Sequence, residues 1–295
     1  MRVLLTHDGS NEAAAAMRAA SRLLSREDRQ VDVLFVASVP RAPKSGHIDR
    51  RAYQHRITEE TKRVLHQAKQ ILTEEGVDAV TLCRSGSPAN ILMREAIDYD
   101  ITVIGAKGNN VTSEVGLGPV ASRLVEHASG CVLVGREPPG DKGIRILVPI
   151  DGSPGAENAL NALDSFIDLE SAEVTLLHVL ETLWLPREDE SEPLGEGDPD
   201  FRQNNQLGLE LRREAEELLT EARMRVLPHH SGVTTSIREG NPANEILSEA
   251  DQGDYDLLVV GANNAADMKH SVLGSVSSKV AWNAPCSVLV VRVPE

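Results

Sequence analysis

The sequence predicts an α/β protein with two tandem, doubly wound parallel sheets of five strands each and helices on both faces. Two observations lead to this expectation. Short apolar runs alternate with helical patterns, five runs with four helices in each half of the 295-residue chain, and the second half repeats the order of the first. Strands that alternate with helices at this spacing form a parallel sheet through right-handed crossovers, which place helices on both faces.

The first half opens with an apolar run, Arg2–Thr6, that ends in the residues His7-Asp8-Gly9-Ser10. Ser10 is a good helix N-cap, so an alanine-rich helix over 11–25 should follow. The next run, 31–37, is almost continuously apolar, as in a strand that a parallel sheet buries on both faces. The remaining predicted elements of this half are a helix over 53–75, a strand over 79–83, a helix opened by 86–90, and strands over 101–104 and 131–134.

The second half opens in the same way, with an apolar run over 145–150 that ends in Asp151-Gly152-Ser153-Pro154. Pro154 falls at the first helical position, where its missing N–H costs nothing, so a helix over 155–167 is expected. The remaining predicted elements are a strand over 173–180, a helix over 207–226, a strand over 234–237, a helix opened by 240–244, a strand over 257–260, a helix ending at Asn283, and a strand over 287–291.

A proline- and glycine-containing segment over 136–140 is typical of a linker and divides the chain into two predicted domains, 1–137 and 143–295. The two domains differ in charge. The first 142 residues hold 19 Lys and Arg against 18 Asp and Glu, whereas the remainder holds 11 against 27. The two halves therefore repeat the same order of elements but have diverged in surface charge.

Composition excludes several classes of protein. Hydrophobic residues at 41% and charged residues at 25% are typical of a soluble globular protein. No apolar run approaches the roughly 20 residues that cross a bilayer, and the N-terminus has no signal-peptide pattern, so we expect no membrane association. The net charge of −15 opposes binding to nucleic acid, so we expect no nucleic-acid partner. The odd number of cysteines, Cys83, Cys131 and Cys286, without metal-ligand spacing, predicts a reduced, cytoplasmic protein.

Two polar connections differ in charge between the halves. The connection over 40–56 is basic, and the connection over 181–200 is acidic. Both compositions are typical of solvated loops. Contact between the two loops, within the chain or across a dimer, is the alternative interpretation.

The stretch from Leu257 to Val291 carries the main functional signal. A strand ends at Gly261, and after a polar loop a helix begins near Gly274. Bare backbone N–H groups and partial positive charge collect at such a helix start, so it can hold a phosphate without a dedicated side chain. Ligands bind at the carboxyl ends of strands in doubly wound sheets, and Asp8 and Asp151 fall at that edge.

With these residues the chain resembles a tandem universal stress protein, whose fold is Rossmann-like, over essentially its full length. The ATP-binding pattern of that family is Gly, two residues, Gly, nine residues, Gly, then Ser or Thr, with an Asp after the first strand and a Val near the end of the second. The matching residues in the first half are Asp8, Val36, Gly105, Gly108 and Gly118. Those in the second half are Asp151, Val179, Gly261, Gly274, Ser275 and Ser277, with Asn264 in place of the second Gly.

The resemblance implies a role for each of these residues. Asp151 and the backbone at Val179 would face the adenine and ribose, and Gly261 would let the chain approach the ribose. The residues that would surround the phosphates are Asn264, Gly274, Ser275 and Ser277. Structural roles remain open beside these functional ones, because the aspartates could cap helices and the glycines could form tight turns.

Both halves depart from the family pattern, and the departures differ in severity. Pro119 stands where Ser or Thr is expected, which removes a backbone N–H and a hydroxyl from the first half. Asn264 is a milder change, since Asn tolerates a left-handed backbone. The acidity of the second half opposes a polyanion, but Lys269, Lys279 or Mg²⁺ could offset it. The second half is therefore the favoured site.

We expect an adenine-nucleotide-binding protein, with ATP as its ligand, that acts in stress response or regulation with little or no catalysis. Slow ATP hydrolysis in the same pocket and a non-binding scaffold are the alternatives. Family members pair through their last strands, so the chain is expected to form an internal pseudo-dimer; a homodimer and an unidentified regulatory partner remain open. No Gly-x-x-x-x-Gly-Lys-Ser/Thr loop occurs, which excludes a P-loop NTPase.

Overall fold

The computed structural model describes residues 1–38, 50–109, 116–137, 143–170, 172–181, 199–226, 230, 232–262 and 273–292. Residues 40–49 and 182–198 of the two charged connections lie outside these ranges, so the contact between the connections stays a prediction.

The first half contains five strands and four helices in alternation, as the sequence predicts. The strands are β1 (Arg2–Thr6), β2 (Gln30–Ser38), β3 (Val80–Gly86), β4 (Ile101–Gly105) and β5 (Cys131–Gly135). The helices are α1 (Asn11–Leu23), α2 (Arg50–Glu74), α3 (Pro88–Glu95), which a short 3-10 turn over Ala96–Asp98 extends, and α4 (Pro119–His127).

The second half repeats this order. Its strands are β6 (Arg145–Pro149), β7 (Glu173–Leu180), β8 (Val233–Glu239), β9 (Leu257–Gly261) and β10 (Ser287–Val291). Its helices are α5 (Pro154–Phe166), α6 (Pro199–Val226), α7 (Pro242–Gln252) and α8 (Ser275–Asn283).

The strands of both halves join into one ten-stranded sheet with the order β3-β2-β1-β4-β5-β10-β9-β6-β7-β8. Pairing is parallel within each half, which confirms the predicted α/β class. At the junction β5 and β10 pair antiparallel, with Leu133 opposite Leu289. Both strands are entirely buried. Because an apolar edge strand invites association, this junction covers the edge that either half alone would expose.

Side-chain caps start the helices where the sequence predicts. The hydroxyl of Ser10 accepts a hydrogen bond from the N–H of Ala13 at 3.1 Å, and Ser153 accepts one from Ala156 at 3.2 Å. The first helix ends at Leu23, two residues before the prediction. The cause is tertiary contact: the N–H of Ser25 donates to the carbonyl of Phe166 at 2.9 Å, which ties the ends of α1 and α5 together.

The core lies in two layers, one on each face of the sheet. On one face α1, α2, α5 and α6 pack on side chains such as Val3 and Leu5; on the other face α3, α4, α7 and α8 pack on side chains such as Leu4. Each layer contains residues of both halves, so the core runs across the β5–β10 junction. Within the described ranges, no helix combines the length and the apolarity that a bilayer crossing needs.

Two arginines, the half-buried Arg136 and the buried Arg292, fasten the halves to each other. Arg136, just after β5, donates to the carbonyl of Ala281 in the last turn of α8 at 3.3 Å and to that of Cys286, just before β10, at 3.0 Å. Arg292, just after β10, donates to the carbonyl of Val125 in the last turn of α4. Cations at helix C-termini interact favourably with the helix dipole. Each half therefore supplies the cap for the last helix of the other.

Candidate functional site

A cleft of about 490 Å³ opens at the carboxyl edge of the first half. The ends of β1, β2 and β4 form its floor, and the first turns of α3 and α4 form its walls. This volume is within the range of small-molecule sites. All five residues that the sequence singled out in this half line it: Asp8, Val36, Gly105, Gly108 and Gly118.

Asp8 organises the loops around this cleft. Its Oδ1 accepts hydrogen bonds from the N–H of Ser10 at 3.0 Å and from the Ser10 hydroxyl at 2.6 Å, and its Oδ2 accepts from the N–H of Asn109 at 3.2 Å. A Cβ on Gly108 would lie 2.6 Å from the same Oδ2. Position 108 therefore has no room for a side chain, because the carboxylate of Asp8 lies against it.

Gly105 and Gly261, which end the equivalent strands β4 and β9, let helices approach the sheet. A Cβ on Gly105 would lie 2.8 Å from the backbone of Glu12 in α1, and one on Gly261 would overlap the carbonyl of Gly155 in α5. Close helix packing accounts for both glycines, whereas the resemblance implied that Gly261 admits a ribose. Packing alone requires a glycine at each position.

The start of α4 forms the anion-attracting wall of the cleft. Gly118 is its N-cap and donates its own N–H to the carbonyl of Ala106 at 2.8 Å, and Pro119 occupies the first helical position. Because proline has no N–H, the donors left by helix geometry are those of Val120 and Ala121, which both line the cleft. Lys107 lines it as well and adds a cation.

The start of α8 is the corresponding feature of the second half. Gly274 is the N-cap, and Ser275, Val276 and Ser277 follow with backbone N–H groups that helix geometry leaves without intrahelical acceptors. The hydroxyl of Ser277 donates to the carbonyl of Gly261 at 2.8 Å. This hydrogen bond therefore holds the start of α8 against the end of β9. Asn264 lies outside the described residues.

The other predicted residues of the second half lie at the same edge of the sheet. Asp151 accepts a hydrogen bond from the N–H of Ser153 at 2.9 Å, so it organises the start of α5 as Asp8 does for α1. Val179 is half-buried near the end of β7. Lys279, considered above as a partner for phosphate, donates instead to Oδ1 of Asn244 at 2.7 Å.

Among the lining residues that the predicted site lacked, His7 is a titratable one. His7 follows β1 directly, lines the cleft and is only 2% exposed. Burial lowers the pKa of its ring, an effect that Asp8 partly opposes. The sequence carried a signal that could have found it, since the repeat places Ile150 at the same position of the second half.

The cysteines are free thiols, and two of them are buried. All three cysteines are free, and burial raises the pKa of the Cys286 thiol to about 12. Burial also raises the pKa of Cys131. No group of three or more His, Cys, Asp or Glu residues among the described ones could hold a metal ion.

Comparison with known proteins assigns the family. The model of the universal stress protein family matches residues 1–136 and 144–292. A universal stress protein of Mycolicibacterium smegmatis is 27% identical over 98% of this chain and 96% of its own length. One of Methanothermobacter thermautotrophicus is 34% identical over 50% of this chain and 94% of its own length.

Among solved structures, a universal stress protein from Archaeoglobus fulgidus has the same fold, with a TM-score of 0.64 and 19% identity over 99% of this chain and 98% of its own. The family match extends over both halves and nearly the whole sequence. The chain therefore belongs to the universal stress protein family and carries two of its domains.

Proposed function

We propose that this protein binds adenine nucleotides, with ATP as the main ligand, and acts in the cytoplasm as a stress-response or regulatory module with little or no catalysis. The observation that carries this proposal is the first-half cleft. It gathers Asp8, Val36, Gly105, Gly108 and Gly118 around about 490 Å³. That volume suits a nucleotide, and the lining combines an apolar strand end with a helix start.

The lining suggests how a nucleotide would lie. The residues Leu34 to Val36 of β2 supply apolar surface for a base. The carboxylate of Asp8 also lines the cleft and would accept hydrogen bonds from the ribose hydroxyls. The N–H groups of Val120 and Ala121 and the ammonium of Lys107 would hold phosphates. Each part of the ligand would thus meet a surface of matching polarity.

The second half is proposed to hold the phosphates more tightly. Its helix α8 begins with Ser275, so it offers one more backbone N–H than α4, which begins with Pro119. A charge-assisted hydrogen bond of this kind contributes about 1.5–3 kcal/mol. Mg²⁺ bound together with the nucleotide would offset the acidity of this half.

Little catalysis is expected because these groups bind rather than react. The groups proposed to hold the phosphates are mainly backbone N–H groups, which hold charge but move no proton. The hydroxyl of Ser277 is engaged with Gly261. Slow hydrolysis would therefore depend on a water molecule that the carboxylates of Asp8 or Asp151 orient.

Calorimetric titration of the full chain with ATP, ADP and AMP, with and without Mg²⁺, tests the proposal. We expect two binding events. The variant Gly274→Val should weaken the tighter event, and Gly108→Val, which pushes a side chain into Asp8, should weaken the other. No heat with any nucleotide would refute nucleotide binding and favour a scaffold. Phosphate release that Gly274→Val abolishes would instead establish an ATPase.

The junction of β5 and β10 supports an internal pseudo-dimer, since it uses the last strand of each half. We propose that one chain is the functional unit. Sedimentation at micromolar concentration should give the mass of one chain, with and without ATP. A stable species of twice that mass would show that two chains associate as well.

A further inference from the structure

The segment that leads into α4 is in contact with a side chain of the other half. A Cβ on Gly116 would lie 3.1 Å from Cε3 and 3.4 Å from Cζ3 of Trp282, which stands in the last turn of α8. Gly116 has a φ of +89°, a backbone conformation that favours glycine, and the indole leaves no room for a side chain there. The indole of the second half therefore packs directly against the first-half chain, two residues before Gly118, the N-cap of α4.

The first half fixes the same segment from its other side. The N–H of Gly118 donates to the carbonyl of Ala106 at 2.8 Å, and the hydroxyl of Ser122 donates to the carbonyl of Gly118 at 2.9 Å. The position of Gly118 sets where α4 begins, and it thereby sets the positions of Val120 and Ala121, which line the first-half cleft. A residue that holds this segment therefore acts on the cleft without lining it.

The second half contacts α4 and its lead-in segment at both ends of the helix. Trp282 packs against Gly116 just before the start, and the guanidinium of Arg292 donates to the carbonyl of Val125 in the last turn. A helix held at one end can pivot about that end, whereas a helix held at both ends has a fixed direction. The direction of α4 decides whether its first N–H groups meet an anion in the cleft.

The repeat shows that the first half supplies no matching ring. Gly118 and Gly274 are equivalent N-caps, so the residue equivalent to Trp282 is Glu126. The carboxylate of Glu126 lies 3.6 Å from the ring of its neighbour His127, and 43% of its side chain is exposed. The equivalent of Gly116 is residue 272, which lies outside the described residues. An aromatic contact from the opposite half is thus a feature of the first-half cleft.

We propose that Trp282 is a positioning residue for the first-half cleft: it holds Gly116 so that the start of α4 meets the phosphates of a bound nucleotide. This inference rests on the proposed nucleotide binding and goes beyond it, because it makes the first-half site incomplete without the second half. Trp282 is half-buried, and the emission of an indole depends on its surroundings, so its fluorescence would report on a ligand at the start of α4.

Fluorescence of the full chain tests this role, with ATP and Mg²⁺ as the probe. The chain has two tryptophans, and the variant Trp184→Phe keeps Trp282 as its single emitter. We expect ATP to change the emission of Trp282, Asp8→Ala to abolish that change and Asp151→Ala to keep it, since these aspartates are equivalent residues of the two halves. A change that Asp151→Ala abolishes and Asp8→Ala keeps would overturn the proposal.

Calorimetry with ATP adds a second readout, because it gives the affinity of each binding event. Trp282→Ala should weaken about tenfold the event that Asp8→Ala also weakens, and it should leave the other event unchanged. Trp282→Phe keeps a six-membered ring for Gly116 to pack against and should recover most of the lost affinity. The matched control is Asn283→Ala, an exposed neighbour on the same helix, which should change neither event.

The outcomes separate this inference from the function on which it rests. Equal weakening of both events by Trp282→Ala would identify a structural residue and overturn the inference. Unchanged ATP affinity in Trp282→Ala, with normal binding by the unaltered protein, would overturn the role of Trp282 alone. If the unaltered protein binds no nucleotide, both proposals fail. If Trp282→Ala does not fold, the emission of Trp282 decides, and a constant signal at saturating ATP overturns the inference.

Discussion

Replacing Arg136 by Ala tests whether the two halves depend on each other for stability. Arg136 is half-buried, and its guanidinium donates to the carbonyls of Cys286 at 3.0 Å and Ala281 at 3.3 Å. Burial lowers its pKa, which reflects the cost of taking the cation out of water. Removing the side chain recovers that cost but leaves two carbonyls without their donor.

The expected loss follows from those carbonyls. A buried acceptor left unpaired costs about 1–3 kcal/mol, so two of them, less the recovered desolvation, give a loss of about 3 kcal/mol. At about 2–4 °C for each kcal/mol in a protein of a few hundred residues, the melting temperature should fall by about 6–12 °C. Arg136 lies in the first half and its two acceptors lie in the second, so the loss of stability reports directly on the association of the two halves.

Urea unfolding followed by circular dichroism measures this loss, and Arg18→Ala is the matched control. Arg18 pairs with Glu137 at 3.2 Å, but its side chain is 39% exposed. Such a surface ion pair contributes less than about 1 kcal/mol. If Arg136→Ala and Arg18→Ala unfold at the same urea concentration, Arg136 does not fasten the halves and the reasoning is wrong.

Two further predictions concern packing and titration. Gly261→Ala would force a Cβ into the carbonyl of Gly155 and should lower the free energy of unfolding, measured in urea, by about 3 kcal/mol. Gly208→Ala is the control: no atom lies near its added Cβ, so helix propensity should raise the free energy of unfolding by about 1 kcal/mol. Equal effects of the two substitutions would contradict the packing role of Gly261. Burial, and then the hydrogen bond to Asp32, raises the pKa of Tyr99 to about 12. The ultraviolet titration of the unaltered protein minus Tyr99→Phe should therefore show a phenol that ionises near pH 12. Because the folded-state pKa is the higher one, the stability that Tyr99 adds is complete below pH 10 and is lost between about pH 10 and 12; a difference titration centred near pH 10 would contradict this.

Local pattern predicts most of the elements because parallel strands buried on both faces are short and almost wholly apolar. Strand β1 over Arg2–Thr6 matches its predicted bounds, and β2 differs by one residue at each end. The end of α1 could not be predicted in this way. Residues 24 and 25 are compatible with a helix, and what removes them from α1 is the pairing with Phe166 and Ile167, which are more than 140 positions away.

The sequence could predict that the candidate residues of one half share an edge of the sheet, but it could not predict the role of each glycine, and it favoured the second half, whereas the described cleft lies in the first. Asp8, Gly105 and Gly118 meet in one cleft because strand ends of a parallel sheet share an edge. A glycine at the end of a strand, however, gives the same sequence signal whether a ligand or a helix approaches it. For Gly105 and Gly261 the helix accounts for the residue, and only the positions of α1 and α5 could reveal this.

Arg136 and Arg292 link the architecture to the two candidate anion-binding helices. Helix α8 begins with the free N–H groups of the second half, and its C-terminal end is capped by Arg136 of the first half. Helix α4 lines the first-half cleft with its start, and Arg292 of the second half caps its end. A helix whose C-terminal end is fixed keeps the N–H groups at its start in a fixed position, and an anion bound there is held more tightly. Each candidate phosphate-binding helix is therefore fixed by the opposite half. Two domains that diverged in charge still share one continuous sheet, and separating them would remove a cap from both α4 and α8.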